Sequence, residues 1–175
     1  MVILVDKNDQ PIGIMDKMEA HAKALLHRAF SIFIFNSKGE LLMQQRAKHK
    51  YHSGELWTNS CCSHPFPGED TLGAANRRLL EEMGLKTELK FVFKFQYKAP
   101  FDNELTEHEI DHVFVGKTND VPQIHPDEVS DYKYMKLEDI QTDISNHPEQ
   151  YTVWFRIIFS EFLHKLSTHP ILNLL

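Results

Sequence analysis

One stretch constrains this chain more than any other. It runs Trp57-Thr58-Asn59-Ser60-Cys61-Cys62-Ser63-His64-Pro65, and soon afterwards an acidic segment ends Glu81-Glu82-Met83-Gly84-Leu85. From Asp70 to Met83 the apolar positions Leu72, Ala75, Leu79 and Met83 recur at helical spacing. Gly84 is placed to end that helix in a left-handed conformation. Upstream lie strand signals. Val2-Ile3-Leu4-Val5 and Ile12-Gly13-Ile14-Met15 flank the turn-like Lys7-Asn8-Asp9-Gln10-Pro11, which predicts an N-terminal hairpin. Phe30 to Phe35 is rich in strand formers, and Asn36-Ser37-Lys38-Gly39 turns it into a partner strand, Leu41 to Arg46.

The segment Ala47 to Leu56 is polar and basic and is expected to be a surface loop. Further strands are expected at Leu89 to Tyr97, Ile110 to Val115 and Tyr132 to Met135, the first two joined by an acidic loop from Asp102 to Thr106. A helix is expected from Leu137 to Ile144, and Pro148 is expected to open another that runs to about Leu166. Repeats and linkers are absent. This order predicts an α/β (α+β) domain over residues 1–175, a mixed central sheet with helices on its faces.

At 175 residues and 42% hydrophobic content, the chain can bury a core of its own. A net charge of −6 disfavours nucleic acid as the main partner. The only two cysteines are adjacent and poorly placed for a relaxed disulfide, which points to a reducing compartment. Asp6, Lys7 and Asp9 interrupt any signal-like apolar core, and no uncharged run reaches membrane-spanning length. A soluble, cytoplasmic protein is expected, acting as a monomer.

Two constellations carry chemistry. Glu81 and Glu82, with Glu69 upstream, offer hard oxygen ligands of the kind Mg²⁺ takes while bridged to phosphates. Elsewhere His21, His27 and His64 join Glu107 and Glu109, whose alternate spacing puts both on one face of a strand. Three imidazoles and two carboxylates suit Mn²⁺ or Mg²⁺, with Zn²⁺ or Fe²⁺ as further candidates. Taken singly a histidine is more often structural, and His49, His52, His108, His112, His125, His147, His164 and His169 are read that way.

Glu69, Arg77, Leu79, Glu81-Glu82, Gly84 and Leu85 together resemble the Nudix box, a loop–helix motif that handles diphosphates. Ser63 stands where the box begins with Gly, and Arg78 stands where hydrolases of the family carry a metal-binding Glu. With Asn59-Ser60-Cys61-Cys62-Ser63-His64-Pro65, Tyr97 ten residues before Glu107-His108-Glu109, and Trp154, the chain resembles the type I isopentenyl-diphosphate isomerases over nearly its whole length. That resemblance implies a Nudix fold and interconversion of isopentenyl and dimethylallyl diphosphate. It implies Cys62 and Glu109 as the acid–base pair, Tyr97 to position Glu109, and Trp154 to stabilise a cation. His21, His27, His64, Glu107 and Glu109 would hold one metal, and Glu82 would hold Mg²⁺ on the substrate diphosphate. Lys17, Arg46, Lys50 and Arg78 would contact that diphosphate. The interval from His21 to His27 is one residue shorter than is common in the family. Two other readings are a Nudix pyrophosphohydrolase of a nucleoside diphosphate derivative, and a structural zinc module built on Cys62, His64, His21 and His27.

Overall fold

In a computed structural model, which describes residues 1–101 and 104–170, every strand joins a single nine-stranded sheet. The elements run β1 (Val2–Val5), β2 (Pro11–Met15), α1 (Lys17–Ala22), β3 (His27–Phe35), β4 (Leu41–Arg46), β5 (Trp57–Thr58) and β6 (Cys61–Ser63). They continue with α2 (Thr71–Met83), β7 (Lys90–Pro100), β8 (Thr106–Lys117), β9 (Val129–Met135), α3 (Leu137–Asn146), α4 (Val153–Ile157) and α5 (Leu163–Ser167). The expected acidic loop between β7 and β8 and the tail beyond α5 lie partly outside the described residues.

Strand β3 is the axis. It runs parallel to β8 along its full length and antiparallel to β6 on its other edge, so Cys62 faces Ser31 and Glu109 faces His27. β7 closes the far side of β8 antiparallel, and there Tyr97 pairs with Glu109. β1 and β2 form the expected hairpin, β1 touching β3 at Leu4 and His27.

Side chains alternate along these strands, and the two faces bury different cores. Phe30, Ile32, Ile34, Leu42 and Phe114 pack beneath Ala75, Leu79 and Met83 of α2. Phe33, Phe35, Phe93, Phe95, Val113 and Val115 pack beneath α3, α4 and α5 through Ile140, Phe155 and Leu166. The second face changes character partway along. Reading back toward the start of β3, Phe35 and Phe33 give way to Ser31, Ala29 and His27. In β8, Val115 and Val113 give way to Asp111, Glu109 and Glu107, and in β7 Phe93 and Phe95 give way to Tyr97. One end of this face is a dry core and the other is lined with polar groups.

Helix α2 follows its sequence signals. Asp70 caps it, accepting from the Gly73 amide at 2.9 Å, and Gly84 ends it at φ +66°. Leu72, expected on the apolar stripe, is 42% exposed; it lies in the first turn, beyond the sheet face that Ala75 reaches. The late helix differs more. Pro148 begins only a short 3-10 turn, after which Tyr151 and Thr152 are extended; Tyr151 bridges to Trp57 and the Thr152 amide bonds the Trp57 carbonyl at 3.0 Å. The helix restarts at Val153 and passes through a π-helical stretch, Ile158–Phe162, before α5. The periodicity continues, but backbone pairing with β5 interrupts it. Helix α1 was not among the expected elements; Asp16 caps it through the Met18 and Glu19 amides.

Candidate active site

The polar end of the sheet opens into a cavity of about 310 Å³, on whose wall Cys62, Tyr97, Glu107, Glu109 and Trp154 all lie. At that wall the side chains of His21, His27, His64 and Glu109 converge, one ligand atom from each within 4.8 Å of all the others. The register accounts for it: His27 and Glu109 are cross-strand neighbours, His64 follows β6, and α1 leans His21 in from outside. His27 Nε2 lies 3.2 Å from Glu109 Oε1, and His64 Nε2 lies 3.0 Å from the same oxygen. Despite the short interval in sequence, His21 Nε2 comes within 3.1 Å of His27 Nε2.

These four residues fit a cation. His27 Nδ1 donates to the Leu25 carbonyl at 2.8 Å, which leaves Nε2 facing the other ligands, its lone pair open to a cation once the ring is neutral. His21 Nδ1 is buried with no hydrogen-bond partner among the described residues, so a ring that presents its Nε2 lone pair to the cluster keeps its proton on that nitrogen. Burial lowers the His64 ring to about 4 and the His21 ring to about 3, so both are neutral donors near neutral pH. Burial also acts against His27, but the hydrogen bond and charge of Glu109 outweigh it and raise that ring. Burial opposes ionisation of Glu109, yet the surrounding imidazoles hold its carboxyl well below the usual range. The alternative zinc set, with Cys62 beside the three histidines, is not what converges: Glu109 joins them instead, and Cys62 Sγ faces the Arg46 guanidinium at 3.8 Å.

Glu107 stands one step aside. Its Oε2 lies 2.8 Å from the Tyr97 hydroxyl, which also lies 2.7 Å from Glu109 Oε2. A single phenolic proton cannot serve both carboxylates, so one bond needs a proton from the acid. Burial and the neighbouring Glu109 charge raise the Glu107 carboxyl above its usual range. Burial pushes the Cys62 thiol up to about 12 in spite of Arg46, so it is protonated at rest. Cys61 points the other way, wholly buried under α2. Trp154 Nε1 donates to Asn59 Oδ1 at 3.2 Å, and the Arg46 guanidinium lies 5.3 Å from its ring centre.

At the mouth stand the cations. Lys17 lies over the Tyr51 ring at 4.4 Å, its pKa lowered by burial and by nearby Lys50 and Arg46. Lys50 pairs with Glu128, and Arg78 binds Glu82 at 2.6 Å, Glu81 at 2.8 Å and Glu128 at 3.0 Å. Glu82 also accepts from Gln44 at 3.0 Å. Glu69 is held by Arg77 through two 2.8 Å bonds, bracing the loop against α2. His52 and Glu128 are prominent here and were not singled out from sequence. His52 sits in a loop whose composition reads as surface, and Glu128 lies outside every motif; only a spatial partner reveals either.

Residues 25–155 match the NUDIX domain model. Solved structures with the same fold include a MutT protein from Methanosarcina mazei Go1, TM-score 0.68 at 20% identity, covering 82% of this chain and 96% of that one. A MutT NUDIX hydrolase from Burkholderia pseudomallei gives TM-score 0.62 at 18% identity, covering 78% and 98%. Fold and site thus define a Nudix protein with a histidine–carboxylate centre beside the box. Curated relatives are more specific. The chain is 56% identical to the isopentenyl-diphosphate Delta-isomerase of Pectobacterium atrosepticum over 159 residues, 91% of this chain and 89% of the relative. It is 53% identical to isopentenyl-diphosphate Delta-isomerase 2 of Photorhabdus laumondii, and 41% identical over 173 residues to the isopentenyl-diphosphate Delta-isomerase of Photobacterium profundum, 95% of this chain and 96% of that one. The chain belongs to the Nudix family and, within it, to the isopentenyl-diphosphate Delta-isomerases.

Proposed function

We propose that this chain interconverts isopentenyl diphosphate and dimethylallyl diphosphate by two proton transfers with the substrate, one from the Cys62 thiol and one to the Glu109 carboxylate. The observation that carries this reading is geometric: the Cys62 thiol and the Glu109 carboxyl line one cavity with Tyr97 and Trp154, burial raising the thiol to about 12 and the surrounding imidazoles lowering the carboxyl well below its usual range. A proton donor and a proton acceptor are therefore both ready before substrate arrives.

In the forward direction Cys62 gives its proton to the terminal methylene carbon, and a tertiary cation forms at the branched carbon. Glu109 removes a proton from the carbon on the diphosphate side, and the double bond forms there. The cycle leaves a thiolate and a carboxylic acid, and proton exchange resets both. Tyr97 touches both Glu109 and Glu107, so it orients the base and offers the accepted proton a way onward. Trp154, its indole fixed by Asn59, supplies a ring face for the cation, an interaction worth about 2 kcal/mol when desolvated. Neither residue is a nucleophile that would trap it.

His21, His27, His64 and Glu109 would hold a divalent ion, with Glu107 as a further ligand; Mn²⁺ or Mg²⁺ suits this oxygen and nitrogen set, and Zn²⁺ is the third candidate. Bound there, the ion would fix the Glu109 carboxylate and set its proton affinity. Glu82 would take Mg²⁺ shared with the diphosphate, and Lys17, Arg46, Lys50 and Arg78 would neutralise the remaining phosphate charge. The hydrolase reading is weaker because Arg78 stands where hydrolases of the family carry a metal-binding Glu, which leaves the α2 acids one ligand short of a hydrolytic metal cluster. Substrate turnover followed beside release of inorganic phosphate separates the two: isomer without phosphate supports this reading, and phosphate without isomer overturns it.

A further inference from the structure

We propose that His52 is a positioning residue that clamps Glu107 at the wall of the active cavity, an inference that rests on the isomerase reading above. His52 lies in the polar loop between β4 and β5, yet it is only 7% exposed. Its ring stacks on Phe101, centres 4.4 Å apart and 15° from parallel, and meets Tyr51 edge-on at 4.3 Å. Arg46 pins the loop from inside, donating to the Ser53 and His52 carbonyls at 3.2 and 3.3 Å. A histidine held this firmly has a fixed direction, and that direction is the cavity.

Its Nε2 lies 3.1 Å from Glu107 Oε1 and makes no hydrogen bond among the described residues. Its Nδ1 meets the Ser53 hydroxyl at 3.1 Å. A small rotation of either side chain completes the contact. Glu107 would then be held at both oxygens, Tyr97 on Oε2 and His52 on Oε1. Held by Tyr97 alone, the Glu107 carboxyl is free to pivot about one bond. His52 removes that freedom and sets which oxygen faces the four converging ligands. Groups that orient metal-binding side chains in this manner are worth about 10–100-fold in metal affinity.

Two variants separate the hydrogen-bonding nitrogen from the ring. His52→Phe keeps the stack on Phe101 without a donor, and His52→Gln keeps an N–H donor without the stack. Titration of the purified chain with Co²⁺, read by its visible absorption, is expected to show affinity lowered about tenfold to hundredfold and an altered band shape in His52→Phe. Native-like affinity is expected in His52→Gln. In turnover, His52→Phe should lower kcat and leave KM near native, since the diphosphate cations are untouched. A folded His52→Phe that binds Co²⁺ with native affinity and spectrum overturns the proposal, as does a His52→Gln no better than His52→Phe. Failure of the native chain to bind Co²⁺ at all would instead remove the metal reading, and this inference with it.

Discussion

Adjacent cysteines in one short strand have opposite environments, and that contrast can be tested by substitution. Cys62 lines the cavity and keeps its proton, whereas Cys61 is a small apolar filler beneath α2. Cys62→Ala should lower kcat by about 10²–10⁴-fold, the usual worth of a positioned proton donor, at near-native thermal stability. Cys61→Ala should keep most turnover and lose some stability; equal tolerance of both changes in a kinetic assay removes Cys62 from the mechanism. His27 makes a different prediction. Glu109 raises its ring in the metal-free protein, so near pH 6.5 metal binding must displace a proton from it. Calorimetry in buffers of differing ionisation enthalpy should register that release near pH 6.5 and its decline as pH rises past the elevated pKa. Proton-neutral binding throughout contradicts this assignment. The shared face of Glu107 and Glu109 is legible in sequence from their alternate spacing on a strand, whereas the roles of Cys62 and His64 come from the family resemblance. His52 and Glu128 are not legible, because a loop residue has no periodicity to betray what it touches.

The elements deliver these groups through register, and the N-terminal hairpin shows how much that depends on a distant lock. Asp9, at its turn with φ +66°, receives Arg28 at 2.7 Å, Lys94 at 2.9 Å and His112 at 2.7 Å, tying the hairpin to β3, β7 and β8. Burial opposes ionisation of Asp9, but Lys94 and Arg28 prevail and hold it below 3.8. Its contribution is therefore complete above that value and is lost as pH falls through the lowered folded-state pKa. Asp9→Asn, which tolerates the left-handed turn, should cost about 2 kcal/mol at neutral pH, or about 4–8 °C in Tm, with the gap to the native chain closing below pH 3.8. A constant gap across that range would deny the charge its role. Gly84 offers a backbone test. A Cβ there would meet the Gln123 side chain at 2.7 Å and its carbonyl at 2.9 Å, so Gly84→Ala should lower Tm well beyond the effect of an exposed Gly→Ala change. Strand and helix existence could be read from alternation and from the Asp70 and Gly84 caps. The break at Tyr151 and Thr152 could not, because it arises from pairing with Trp57, far away in sequence.

Taken together, the molecule divides one face of its sheet into a core that holds the fold and a polar end that holds the chemistry. The apolar clusters form without the four converging ligands, so chelation should abolish turnover while the cooperative melt persists. Unfolding on chelation, followed by circular dichroism, would favour a structural metal instead. The Nudix architecture was visible in the box residues, and Arg78 already marked the departure from hydrolysis. Its position gives the physical reason: a guanidinium, paired with Glu81, Glu82 and Glu128, replaces one of the carboxylates a hydrolytic metal cluster would use. The most direct test is proton NMR of isopentenyl diphosphate incubated with the purified chain, Mg²⁺ and Mn²⁺ in deuterated water. Dimethylallyl diphosphate carrying deuterium is the expected product. Unchanged substrate in a folded, metal-loaded sample would contradict the proton-transfer mechanism and the pairing of Cys62 with Glu109.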